Sequence, residues 1–171
     1  MTMETRHTAQ DLIRLLDLRP HPEGGRFAFR FTSGERLPGG TERETCSVIY
    51  YLLQAGEISR WHRLGAAEVW TWHLGGSLEM TLGGAGDAPV PEGTRSLGPR
   101  LEAGEQFQIL APPGQWQTTR LVEGEFALVS CVVAPAFLEE DCLLPPEPLP
   151  NEIYGKEDAP WTSSRWRARP R

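Results

Sequence analysis

For most of its length the chain alternates short apolar runs with turn-forming breaks, and one early segment departs from this rhythm. Leu12, Leu15 and Leu16 recur at helical spacing. Thr8, followed three residues later by Asp11, supplies a helix start: the hydroxyl accepts from free amides and the acid favours the positive end of the dipole. A short amphipathic helix over 8–17 is predicted. Arg19-Pro20-His21-Pro22-Glu23-Gly24-Gly25 comes next, and its prolines and glycines prevent the helix from continuing.

From there to about residue 138 the pattern is strand after strand. RFAFRF (26–31) carries Phe at alternate positions, as a half-buried strand should. TCSVIYYLL (45–53) is β-branched, aromatic and apolar on both parities, which predicts a strand covered on both faces. EVWTWHL (68–74) and LEMTL (78–82) flank Gly75, Gly76 and Ser77 and read as a hairpin. GGAGDAP (83–89) and Pro112-Pro113-Gly114 are loop signals. FQIL (107–110) and LVEGEFALVSCVV (121–133), the latter with a turn at Glu123-Gly124, complete the set. Short strands punctuated every 8–12 residues predict an all-β sandwich or barrel.

The expected organisation is an N-terminal helical segment over 1–18, a barrel over 19–144 and an arm over 145–171. The arm is rich in proline and acid and ends in SRWRARPR. It reads as a solvated tail, with an anionic partner or docking onto the acidic stretch before it as the alternatives.

Composition narrows the function classes. A chain of 171 residues buries enough surface to fold without a disulfide or metal staple. Its net charge of −6 speaks against a general nucleic-acid binder. Of the 17 basic residues, 16 are arginine and only Lys156 is lysine, which reads as genome composition. Cys46, Cys131 and Cys142 form no CxxC pair, and the first two sit in apolar runs as small hydrophobes. No apolar run approaches the ~18 residues of a membrane span, and no secretory apolar core is present, so a cytoplasmic protein is expected.

One constellation carries chemistry. Gly56-x5-His62-x5-Glu68-x6-Gly75 resembles the first motif of the cupin superfamily, with Leu64 where that motif has its second histidine. Gly104, Pro112-Pro113-Gly114 and Gln117 stand in the places of the second motif, Gln117 replacing its histidine. PHPEGG (20–25), S-x-W-H-R (59–63), E-V-W (68–70), P-G-x-W-Q (113–117) and VVAPAF (132–137) extend the likeness over about residues 11–144. That series is similar to the uncharacterised RmlC-like cupin family five proteins. The resemblance implies a double-stranded β-helix (jelly-roll) fold and a homodimer. The family's acid shortly after the double glycine is replaced here by Phe29.

Strand parity puts His62 and Leu64 on one face and Glu68, Trp70 and Trp72 on another common face, with His73 turned away. His62 is then the candidate general base, with Glu68 setting its tautomer or acting as a second acid. Trp70 and Trp72 offer flat walls for a ligand, Tyr50 and Tyr51 are available as proton donors with one of them pointing inward by parity, and Tyr51, Gln117 and Arg63 are candidate ligand contacts. Arg26, Arg30, Arg60 and Arg63 are candidates for a basic rim facing an anionic group, scattered surface arginines being the alternative. A divalent ion would have to use His62, Glu68 and the weak amide ligand Gln117, so no cofactor is the first expectation and a weakly held metal the second. The functional readings are a metal-independent isomerase or epimerase acting on a sugar-like or carbonyl substrate, a non-catalytic small-ligand binder, and a weak metallocupin.

Overall fold

The computed structural model describes residues 7–39 and 42–145. The Arg-rich end of the predicted arm lies outside them. Helix α1 spans Ala9–Leu15. Thr8 caps it as its sequence requires: Asp11 N–H donates to the Thr8 hydroxyl at 3.2 Å, and Thr8 N–H donates to the Asp11 carboxylate at 3.0 Å. Leu12 faces the protein, whereas Leu15, expected on the same face, is 56% exposed.

The strands are β1 (Arg19–Pro20), β2 (Arg26–Thr32), β3 (Ser47–Gln54), β4 (Ile58–Leu64), β5 (Ala67–Leu82), β6 (Gly93–Leu97), β7 (Gln108–Ala111), β8 (Trp116–Ala134) and β9 (Cys142–Leu143). They form one antiparallel sheet that curls on itself in the order β1-β2-β3-β8-β4-β9, with β5 pairing β6, β7 and β8. This is the all-β double-stranded β-helix.

Strand β3 shows why both of its parities are apolar. Tyr51 and Leu53 enter the barrel core beside Trp70, Met80 and Val129. Leu52 faces the other way, into a second cluster with Leu12, Leu18, Phe126 and Leu128, roofed by α1. A fully buried leucine contributes roughly 2 kcal/mol by removal from water, so each face of β3 is separately anchored.

Two predicted turns are corrected. Neither Gly75-Gly76-Ser77 nor Glu123-Gly124 ends a strand; both lie inside the long strands β5 and β8. Those two strands are paired, and their register shifts between Trp72 and Leu78. Gly75 and Gly124 have φ of +98° and +90°, a conformation that costs glycine little. A Cβ on Gly76 would lie 1.7 Å from the Glu123 carbonyl oxygen. The glycines therefore build facing bulges that bend two continuous strands around the barrel. Among the described residues no helix is long and apolar enough to cross a membrane.

Candidate functional site

The barrel opens into a cavity of about 420 Å³, within the range of small-molecule sites. His62 on β4, with 2% exposure, and Glu68 on β5, with 6%, both face it. Leu64 lines the same cavity, so the substituted second-histidine position is a real wall position rather than a shifted one. The Gln117 amide N–H donates to Glu68 Oε2 at 2.6 Å. His62, Glu68 and Gln117 are thus brought together, as their motif positions imply.

Two further side chains complete the group. His21 and Glu23 come from the PHPEGG segment, whose residues were quoted for likeness but given no role. Its double glycine explains how it reaches the barrel. A Cβ on Gly24 would lie 2.0 Å from the Ile58 carbonyl oxygen, and one on Gly25 would lie 2.7 Å from that of Leu52. Only glycine lets this turn press so closely on β3 and β4. The turn is then fastened: Arg60 N–H donates to the Glu23 carbonyl at 2.8 Å, and the Tyr51 hydroxyl to that of Gly24 at 2.6 Å. The signal available in the sequence was an acid directly before two glycines between strand-forming runs.

Glu23 Oε2 lies 3.3 Å from His62 Nδ1, and Glu68 Oε2 lies 3.9 Å from His62 Nε2. His62 Nδ1–H donates to the Arg60 carbonyl at 2.7 Å. Burial alone would depress the His62 pKa. The Glu23 charge, the charge and hydrogen bonding of Glu68, and the Arg60 carbonyl overturn this and push it up to about 9. His62 is an imidazolium at neutral pH. Burial alone would raise the Glu68 carboxyl, but His62, the Trp70 indole and the Gln117 amide hold it below the usual carboxylate range. His21 is pushed down, first by burial; its Nδ1 accepts from the Glu23 N–H at 3.1 Å, as a neutral ring can.

Beneath the cavity a recess of about 20 Å³ shares His21, Glu23, His62 and Glu68 and adds Tyr51, Ser59 and Trp70. The Ser59 hydroxyl and the Trp70 indole nitrogen are buried there without a geometrically satisfactory hydrogen bond. Burial pushes the thiol of Cys131, in the cavity wall, well up, and Glu68 and Glu23 add to that, so the thiol stays protonated. Cys142 Sγ–H donates to Glu23 Oε1 at 3.4 Å.

Other expected positions lie elsewhere. Trp72 shares the parity of Glu68 but is farther along β5, below the cavity; its indole donates to the Gly76 carbonyl at 3.1 Å and stacks on Phe107. Arg63 points outward, donating to the Ala85 and Gly86 carbonyls and lying over the Trp116 ring. Its neighbour His62 points inward, as strand alternation requires. Arg60 is tied to the Pro22 carbonyl at 2.7 Å and Arg30 lies over the Tyr50 ring. None of Arg26, Arg30, Arg60 and Arg63 lines the cavity, which corrects the expected basic rim. Phe29, in place of the family's acid, lines it instead.

The donor set fits a resident metal poorly. Leu64 offers no ligand, Gln117 turns its N–H towards Glu68, and His62 Nδ1 is committed to a carbonyl. Among the described residues no three His, Cys, Asp or Glu side chains are arranged to hold an ion.

The sequence profile of the Cupin superfamily (DUF985) matches residues 10–144. A solved protein from Shewanella oneidensis is 35% identical over 81% of this chain and 85% of its own, with a TM-score of 0.73. A hypothetical protein from Leishmania major is 29% identical over 81% and 87%, with a TM-score of 0.72. A variant of Bacillus subtilis oxalate decarboxylase, 22% identical over 72% of this chain and 29% of that one at a TM-score of 0.51, shares the fold. No curated protein matches the chain.

Proposed function

From the premise that this chain belongs to the cupin superfamily family DUF985, we propose that its cavity binds a small hydroxy-carbonyl compound and isomerises it by acid–base catalysis without a metal. The observation that carries this reading is a buried His62 imidazolium between two buried carboxylates, Glu23 at 3.3 Å and Glu68 at 3.9 Å, at the wall of a 420 Å³ cavity. The base role expected of His62 passes to a carboxylate, because an imidazolium has no free lone pair to take a proton. His62 Nε2–H hydrogen-bonds the substrate carbonyl oxygen and stabilises the charge that develops there. Glu23 or Glu68 removes the proton next to that carbonyl, the proton of the adjacent hydroxyl passes to the former carbonyl oxygen, and the protonated carboxyl returns its proton to the former carbonyl carbon. The sequence is redox-neutral overall and needs no co-reactant. Gln117 and Trp70 support the role of Glu68 by keeping it ionised.

The test is solvent exchange. The protein is incubated in D₂O with a panel of aldoses, ketoses and small hydroxyketones, and wash-in of deuterium beside the carbonyl is followed by ¹H NMR. Exchange is expected with wild type and lost in His62→Gln. Binding without exchange across the panel would overturn catalysis in favour of a ligand-binding cupin.

The homodimer and the cytoplasmic setting belong to the same proposal. Support for pairing comes from β2: among the described residues the short strand β1 covers only Arg26 and Phe27 and no other strand pairs with the edge beyond them, where Phe31 is 56% exposed.

A further inference from the structure

Within the hydroxy-carbonyl compounds proposed above as ligands, the charge on the cavity wall favours one class. Among the described residues, Glu23, Glu44 and Glu68 line the cavity against one imidazolium, His62, and no arginine or lysine lines it. Arg36, which acts on Glu44 electrostatically, is paired with Glu42 at 2.6 Å. Arg43 is held by Asp141 at 2.6 Å and by the Ala136 carbonyl. The wall is therefore net negative in a partly water-excluded space, where a phosphate or carboxylate on the ligand would be repelled and a cation attracted.

The inner end asks for something different. Ser59 and Trp70 are 1% and 2% exposed, and their hydroxyl and indole nitrogen line the recess, acting on Tyr51 and on the Glu68 carboxylate without the alignment of a full hydrogen bond. Trp70 can only donate, so an oxygen placed in the recess gives it the aligned acceptor that Glu68 does not. A recess of about 20 Å³ has room for one oxygen-sized group. Phe29 and Phe137 on the cavity wall add aromatic surface of the kind that receives an ammonium group.

We propose that the cavity selects a small polyhydroxylated ammonium ion, with a ligand oxygen in the Ser59–Trp70 recess and the ammonium group towards Glu44. This rests on the cavity being the ligand site, and it excludes nucleotide-linked and acidic sugars from the substrate class.

Three sugars on one ring frame separate the effect of charge from that of shape: glucosamine, glucose and glucuronate. Isothermal titration at matched ionic strength and mildly acidic pH, where the amine is protonated, should rank them in that order. The amine should bind about ten-fold more tightly than the neutral sugar. Glu44→Gln keeps an acceptor for Gly34 N–H, which Glu44 now binds at 2.7 Å. It should cut the amine preference about five-fold while leaving glucose affinity unchanged, the modest size reflecting a partly solvated carboxylate. Trp70→Phe should weaken all three sugars alike. Glucose or glucuronate binding as tightly as glucosamine would overturn the selection, as would no detectable binding of glucosamine. Deuterium exchange into glucose with no amine preference would overturn the selection while leaving the acid–base reading intact. Amine preference without exchange into any sugar would support the selection and remove the catalysis.

Discussion

Replacing Glu23 by Gln tests the electrostatics of the site most directly, because it removes one charge and keeps the shape. Glu23 Oε2 is 3.3 Å from His62 Nδ1. At that distance a unit charge pair is worth about 5 kcal/mol at an effective dielectric of about 20, or between 3 and 4 pKa units at ~1.4 kcal/mol each. Water in the cavity screens part of this, so a fall of roughly 2 units or more is expected from the value of about 9. His62 would then titrate near or below its ordinary 6.5, because burial would be opposed by Glu68 and the Arg60 carbonyl alone. The stability profile must move with it. A folded pKa above the unfolded value gives His62 a contribution that is complete below about pH 6.5 and lost as pH rises through about 9. For wild type that contribution is about 3 kcal/mol, an order of magnitude from the size of the shift. In Glu23→Gln the alkaline loss should largely vanish. The imidazole C2–H resonance followed by NMR titration gives the pKa, and urea unfolding from pH 6 to 10 gives the stability. A His62 pKa that stays near 9 in the variant would refute the reasoning, since the charge named as its chief support would be irrelevant.

Two other outcomes follow from the same geometry. Leu64→His with Gln117→His restores the imidazoles of the cupin motifs, so the double variant should retain about one divalent ion per chain by elemental analysis while wild type retains well under that; equal metal in both would show that those positions do not control the ligand set. Gly76→Ala places a Cβ 1.7 Å from the Glu123 carbonyl oxygen and should cost about 2–3 kcal/mol or more in urea unfolding, against about 0.5 kcal/mol or less for Gly93→Ala, whose Cβ would meet nothing within 4 Å.

The strands were legible because each half-buried face imprints a period of two, and β3 was legible as doubly covered because Leu52 and Leu53 face different cores. The bends in β5 and β8 were not. Gly75-Gly76-Ser77 and Glu123-Gly124 look like turns when each strand is read alone, since a glycine that permits a turn also permits a bulge. What distinguishes the two is the partner: the glycines of one strand lie against the other at the point where both bend. That information is pairwise, and no single segment contains it.

The same limit explains the site. His62, Glu68 and Gln117 were legible from motif spacing, which places them on neighbouring strands whatever the loops do. Parity then misplaced Trp72, because a shared face does not mean a shared height along a 16-residue strand. The largest consequence came from Glu23. A histidine beside one carboxylate in a partly apolar pocket is expected near neutral pH, since burial and the ion pair oppose each other. A second carboxylate, delivered by a turn some 40 positions earlier in the chain, tips the balance and makes His62 a cation. The charge on His62 is therefore set by the close approach that Gly24 and Gly25 permit, more than by the identity of the histidine.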